Sequence, residues 1–173
     1  INHQFVNLEY RAALKNAGLA PEEIGLLVSP SITSSGLGSS IERGLCAAYD
    51  QAGEQNCALG STEPGLLGLI KAAWCVYWRV IPGMPEWTGL DPKFEQACSS
   101  FYVPLEARTW FCPPPLSRRM AGYYMTAGDG SLAFLFLGEE RDGLDHPEAA
   151  CRNEELRLFP IAGRQMDELL LKI

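Results

Sequence analysis

The chain has 173 residues, 47% of them hydrophobic and 20% charged, with a formal net charge of -7. That balance suits one globular domain with a real core and is too apolar for a disordered chain. A net negative charge without clustered Lys and Arg argues against nucleic acid or an anionic membrane surface as partner.

Residues 2–17 pattern as an amphipathic helix with Phe5, Leu8 and Ala12 on its apolar face, ended by Gly18. A turn at Ala20-Pro21-Glu22-Glu23 leads into a compact apolar run, residues 24–28, read as a buried strand. Residues 29–40 are a Ser- and Gly-rich loop. A helix capped by Ser39 or Ser40 then runs to near Ala52, with Ile41, Leu45, Ala48 and Tyr49 inward and Gly53 ending it. Residues 57–59 read as a short strand. Pro64 suits the first position of the next helix, where its missing N–H costs nothing; that helix is apolar nearly all round, which predicts a central, buried one. Residues 81–101 form an irregular linker, 101–103 a short strand, and Pro113-Pro114-Pro115 an extended surface segment. Residues 121–126 and 131–137 read as two strands around the turn signal Gly128-Asp129-Gly130. Residues 138–155 are charged and expected to be exposed, 156–161 form a strand, and a helix starts at Arg164. Strands alternating with helices predict an α/β layered domain.

The chemistry-bearing residues are sparse. The six cysteines (Cys46, Cys57, Cys75, Cys98, Cys112 and Cys151) form no C-x-x-C pair, and His3 and His146 are the only histidines, so no zinc site is expected. No basic-then-apolar start marks a secretion signal, and the apolar stretch 66–80 is interrupted by Lys71 and Arg79 and is too short to span a bilayer. The thiols are therefore expected to be reduced core residues, and the location cytoplasmic. Trp74, Tyr77 and Trp78, at helical spacing, are expected to pack in the core rather than line a ligand channel. The carboxylate pairs Glu22-Glu23, Glu139-Glu140 and Glu154-Glu155 cannot share a face as neighbours in sequence. Gly36-Leu37-Gly38 lacks the Lys and Ser/Thr of a phosphate loop. Arg118-Arg119 reads as a solvated basic pair, with contact to an acidic partner protein as the alternative.

Ordered segments along nearly the whole chain resemble the C-terminal half of a β-ketoacyl synthase. Residues 58–71, A-L-G-S-T-E-P-G-L-L-G-L-I-K, resemble the family's L-G-S strand end and G-L-I-K helix. In the family the loop between them carries a lysine and a catalytic histidine; here it is shorter and has neither. Residues 8–18, L-E-Y-R-A-A-L-K-N-A-G, resemble the helix before the family's first histidine loop. Residues 27–42, L-V-S-P-S-I-T-S-S-G-L-G-S-S-I-E, align with Y-V-E-A-H-G-T-G-T-P-L-G-D-P-I-E. Ser31 falls at the histidine, Thr33 and Gly38 match, Ser39 replaces the aspartate, and Ile41 and Glu42 match again. Residues 101–110, F-Y-V-P-L-E-A-R-T-W, resemble the stretch before the last strands. Residues 121–140, A-G-Y-Y-M-T-A-G-D-G-S-L-A-F-L-F-L-G-E-E, resemble A-G-V-S-S-F-G-F-G-G-T-N-A-H-V-V-L-E-E, with Leu132 at the asparagine and Phe134 at the histidine. Residues 158–170, L-F-P-I-A-G-R-Q-M-D-E-L-L, are similar to the start of a ketosynthase-to-acyltransferase linker. The R-V-I-P-G-M-P-E-W phrase at 79–87 is similar to degenerate ketosynthase-like regions of polyunsaturated fatty acid and heterocyst glycolipid synthases.

The resemblance implies a thiolase-like α/β layered fold, a mixed sheet packed against helices including one central buried helix. It implies a ketosynthase C-terminal-like domain over residues 1–140 and the start of a linker over 141–173. The matched positions Ser31, Thr33, Gly128, Gly130 and Phe134 are vestigial: no catalytic, cofactor or metal residue is assigned. Condensing enzymes need a cysteine nucleophile, two histidines and an oxyanion hole. The nucleophile belongs to the N-terminal half of the family fold, and a serine cannot shuttle a proton near neutral pH as imidazole does. The leading expectation is a non-catalytic structural or docking domain of a multienzyme fatty-acid or polyketide synthase, an assembly of acyltransferase class. The alternatives are half of a condensing enzyme whose nucleophile half lies elsewhere, and a free-standing interaction module. Expected partners are adjacent ketosynthase and acyltransferase domains, an acyl carrier protein bearing phosphopantetheine, and a dimer or pseudo-dimer mate, with no nucleic acid and no membrane insertion.

Overall fold

Asn2 starts the first helix by accepting the Gln4 N–H on its side chain at 3.0 Å, and Gly18 ends it in the left-handed region at φ 67°. The computed structural model describes residues 2–30, 40–49, 57–62, 65–87, 100–112, 116–126 and 131–140. In chain order these form α1 (His3–Ala17), a 3-10 turn (Pro21–Glu23), β1 (Ile24–Ser29), α2 (Ser40–Ala48) and β2 (Cys57–Ser61). They continue with α3 (Leu66–Trp78), β3 (Val80–Ile81), β4 (Phe101–Tyr102), β5 (Arg108–Thr109), β6 (Met120–Thr126) and β7 (Leu132–Gly138). The expectations for Pro64, residues 113–115, the glycine fragment at 36–38, His146, and everything from 141 onward fall outside the described residues.

The main sheet has the order β4-β2-β1-β6-β7. The first four strands are parallel, and β7 runs antiparallel to β6 along its whole length, Met120↔Gly138 to Thr126↔Leu132. Parallel strands need cover on both faces. On one face Ile24, Leu27, Cys57, Leu59, Met120 and Tyr124 pack against α1 and α2; on the other Leu26, Val28, Ala58, Ala121 and Tyr123 pack against α3. A register shift between Ile24 and Leu26, where β1 pairs with β6, sets Ile24 and Leu27 on the same face despite their odd spacing. A separate two-stranded ribbon pairs β3 with β5.

Two helix faces depart from the sequence reading. In α1 the buried stripe is Val6, Tyr10 and Leu14, while Phe5, Leu8 and Ala12 are exposed. Val6, Tyr10 and Leu14 are each four apart, an equally regular helical stripe. They win because they meet α2, where Gly44 lets the backbones close: a Cβ there would lie 2.6 Å from Val6 Cβ. Tyr10 also reaches past α2 to a hydroxyl–hydroxyl bond with Tyr49 of 2.8 Å, wholly buried. In α3, Gly68, Ala72, Cys75 and Val76 are buried against the sheet, but Leu66, Trp74 and Trp78 are 72%, 66% and 55% exposed. The helix is thus open along one side rather than central, and Trp74, Tyr77 and Trp78 are not core residues.

Within the 138–155 stretch Gly138 and Glu140 are exposed as expected, but Glu139 is not. Glu139 is buried and bridges Arg79 and Arg119, each at 2.8 Å. Arg79 is the C-cap of α3 and holds φ at 55°, a left-handed conformation unusual for a side-chain-bearing residue. Its carbonyl accepts the Trp110 N–H at 2.7 Å, and Arg119 donates to the Trp110 carbonyl at 2.5 Å. The carboxylate therefore ties the end of α3, the segment after β5 and the start of β6 together. Arg119 is a structural partner and not a solvated one; Arg118 is exposed. Burial alone would raise the Glu139 pKa, but the Arg119 hydrogen bonds and charge, with Arg79 behind them, bring it below the ordinary value.

Gly44→Ala forces the added methyl against the α1 backbone and Val6, and is expected to lower stability by about 1–3 kcal/mol, read as a lower urea midpoint. Glu139→Gln is expected to lose about 1.5–3 kcal/mol at neutral pH, the value of hydrogen bonds to a charged group. Because the folded-state pKa is depressed, that contribution is full above the unfolded carboxylate pKa and disappears as pH falls through the folded value. The gap between wild type and Glu139→Gln in urea titrations should therefore close on acidification; a gap constant with pH contradicts the ion-pair role.

Candidate functional site

In a parallel sheet, ligands and chemistry gather at the C-terminal ends of the strands. Here β1 ends at Ser29, β2 at Ser61 and β6 at Thr126, and β7, being antiparallel, begins beside them at Leu132. Ser29 lies opposite Ser61 and Thr126 opposite Leu132, while β6 runs on past the end of β1, whose Val28 pairs with Tyr123.

A buried polar chain occupies this edge. Ser29 Oγ and the Tyr124 hydroxyl are 2.6 Å apart, and the Tyr124 hydroxyl donates to Glu42 Oε1 at 3.2 Å. All three side chains are buried. Beside them lies a cavity of about 200 Å³ lined by Pro30, Ile41, Gly65, Tyr123, Met125 and Thr126 with Tyr124. Tyr123 closes its side by donating to the Gly65 carbonyl at 2.7 Å, and Lys71 reaches back from α3 to the Ser61 carbonyl at 2.5 Å. Ser29 is buried, and among the described residues no imidazole lies beside it to activate it as a nucleophile. Hydrogen-bonded hydroxyls around a buried carboxylate satisfy one another and fix the strand ends.

The sequence-derived positions divide sharply. Ser31 and Thr33 follow β1, and Gly128 and Gly130 lie between β6 and β7; all four are outside the described residues. Phe134 is described and is half-buried. It packs edge-on against Tyr10 with ring centroids 5.1 Å apart and lies 6.3 Å from Tyr124, its register partner across the hairpin. Phe134, which the resemblance sets at the family's histidine, is thus part of the aromatic core. Sequence reading missed Ser29 and Tyr124. Tyr124 sits inside a run that looked purely strand-forming, and nothing in its spacing marks a hydroxyl partner on a helix 82 residues earlier.

The thiols bear on whether a replacement nucleophile exists, since the thiolate is the reactive form. Cys57 is wholly buried in the α1–α2 core, and burial pushes its thiol far above the ordinary value. Cys75 is also raised by burial, partly offset by the Lys71 charge. Cys57, Cys75 and Cys112 are free thiols, as expected; Cys46, in α2, departs from that expectation and is disulfide-bonded. His3 is an exposed residue of α1's first turn, on the side of the sheet covered by α1 and α2. Among the described residues no group of His, Cys, Asp or Glu is arranged to hold a metal ion, and no helix is long and apolar enough to cross a membrane.

No family model matches the chain. It is 28% identical over 172 residues to a mycocerosic acid synthase-like polyketide synthase of Mycolicibacterium smegmatis, covering 92% of this chain and 8% of that protein. It is 29% identical over 108 residues to a phenolphthiocerol/phthiocerol polyketide synthase component of Mycobacterium tuberculosis, covering 57% of this chain and 7% of that one. The chain therefore spans less than a tenth of the length of the curated relatives it matches. Among solved structures it is similar to a ketosynthase from module 6 of the bacillaene synthase of Bacillus subtilis, with a TM-score of 0.70 at 18% identity over 82% of this chain and 27% of that one. Ketosynthase twelve of the bacillaene polyketide synthase in Bacillus amyloliquefaciens gives a TM-score of 0.67 at 22% identity, over 82% and 27%. The chain has the α/β fold of the C-terminal half of a ketosynthase.

If the Ser29–Tyr124–Glu42 chain is architectural, Tyr124→Phe removes one hydroxyl and leaves two buried partners short of a bond. The expected loss is about 1–3 kcal/mol of stability, measured by thermal or urea unfolding, with the secondary structure unchanged by circular dichroism. A variant as stable as wild type would show the chain carries no structural load.

Proposed function

We propose that this chain is a ketosynthase-like domain that keeps the fold and lacks the condensing chemistry, serving a multienzyme synthase as a structural or docking element. The observation that carries this reading is the strand-end edge. Where condensing chemistry needs imidazoles, the described residues supply the buried Ser29–Tyr124–Glu42 chain, and Phe134 is packed into the aromatic core. The whole sequence has two histidines, neither at a matched position, and Ser31 stands where the first is required. A decarboxylative condensation needs a thiolate to carry the acyl group and imidazoles to stabilise the developing enolate. The Cys57 and Cys75 thiols are held protonated by burial.

The similarity to mycobacterial polyketide synthases supports a polyketide-type multienzyme as the setting. In that setting the partners are neighbouring ketosynthase and acyltransferase domains and an acyl carrier protein, whose phosphopantetheine arm belongs to the carrier and not to this chain.

The purified chain should decarboxylate malonyl thioesters no faster than a protein-free control, and acyl-thioester substrates should leave no labelled cysteine detectable by mass spectrometry. Cysteine-dependent turnover well above that control overturns the reading.

A further inference from the structure

A second cavity lies at the opposite end of the sheet from the Ser29–Tyr124–Glu42 chain, where β1 and β6 begin side by side. It holds about 640 Å³, and its walls include Gly25 of β1, Met120 of β6, Ile81 of β3 and the segment from Arg108 to Cys112. Small-molecule sites are on the order of 300–1,000 Å³. Three aromatic side chains stand around it: Tyr102, Trp110 and Phe111. Phe111 is 66% exposed, a bare hydrocarbon ring held at the surface. Trp110 is the opposite case. It is only 5% exposed, and among the described residues its indole N–H has no acceptor. The indole nitrogen stands against the cavity wall at Gly25, where a Cβ would lie 2.9 Å from it, so the glycine makes room for the ring edge. A buried donor left unpaired is costly, and this one calls for an acceptor that the described residues do not supply.

Charge decides which acceptor fits. The wall carries Arg108, Arg118 and Arg119 against Glu22 and Glu23, one net positive charge. Arg119 is held by Glu139 and the Trp110 carbonyl, and Glu23 accepts the Ala20 N–H. Among the described residues neither Arg108 nor Arg118 has an ion-pair partner. Arg108 lies over the Tyr102 ring, 4.4 Å from its centroid, which sets a guanidinium group beside an aromatic face. Two unengaged guanidinium groups suit an oxyanion, and the two glutamates oppose a second negative charge.

We propose that this cavity binds an aromatic monocarboxylate. The ligand's ring system lies among Tyr102, Trp110 and Phe111, its carboxylate pairs with the guanidinium groups of Arg108 and Arg118, and one of its oxygens accepts the Trp110 N–H. A neutral aromatic ligand leaves both arginines without a counter-charge, and a phosphate dianion meets Glu22 and Glu23. A wholly aliphatic body forgoes the ring–ring and cation–ring contacts that these side chains offer. The site uses nothing at the strand ends, Ser29 and Thr126, so it stands or falls separately from the ketosynthase-like reading.

The test irradiates the complete natural polypeptide with 4-benzoylphenylacetate, an aromatic monocarboxylate that photo-crosslinks, and maps attachment by peptide mass spectrometry. Saturable attachment is expected at residues 108–112 and 116–120, which line the cavity, and excess 2-naphthylacetate should abolish it. The neutral 2-naphthylethanol and the dianionic 2-naphthylethyl phosphate should each compete at least about tenfold more weakly. Arg108→Gln and Arg118→Gln should each raise the half-saturating probe concentration about tenfold. Their urea midpoints should stay at the wild-type value, because neither arginine is in an ion pair among the described residues. Trp110→Phe, which keeps a ring and removes the N–H, should weaken attachment as well. No saturable attachment at these residues overturns the proposal, and so does attachment that both arginine variants leave unchanged. Competition by the alcohol as strong as by the carboxylate marks an apolar pocket only, and stronger competition by the phosphate marks a phosphate site; either result overturns it.

Discussion

The structure depends on β1 being buried between two parallel neighbours. Leu26, Leu27 and Val28 pair with β2 on one side and β6 on the other, and are inaccessible to solvent from either face. A strand so placed sends side chains both ways, so two apolar layers must exist or the sheet cannot form in water. α1 and α2 supply one and α3 the other. The bulge near Ile24 adjusts which residues serve which layer, and the Arg79–Glu139–Arg119 cluster fastens the far end of α3 to the strands it covers.

The two layers are not equivalent. The α1–α2 layer is complete: Tyr10, Tyr49, Phe101, Phe134 and Phe136 form a continuous set of ring contacts, with the Tyr10–Tyr49 hydroxyl pair satisfied internally. The α3 layer is complete only toward the sheet.

At the strand-end edge the Ser29, Tyr124 and Glu42 side chains form a buried polar chain, and Phe134 packs edge-on against Tyr10. Hydrogen bonds of this kind hold the strand ends to α2.

Much of this was legible in the sequence. Local signals placed α1 between Asn2 and Gly18, β1 over its apolar run, α2 with Leu45 and Ala48 inward and buried Tyr49 just past its end, and the β6–β7 pair, because caps, apolar runs and glycine-rich turns act within a few residues. The collinear match also indicated the ketosynthase fold. What the sequence could not decide were choices made by contacts distant along the chain. Two stripes of α1 were equally regular, and the α2 backbone at Gly44 selected Val6, Tyr10 and Leu14. Glu139 looked like one more surface carboxylate until Arg79, sixty residues earlier, was brought beside it. The apolar run of α3 announced a buried helix, but burial is a property of what lies against each face. Composition fixes how much surface a helix needs covered, and only the tertiary arrangement decides which side the chain itself covers.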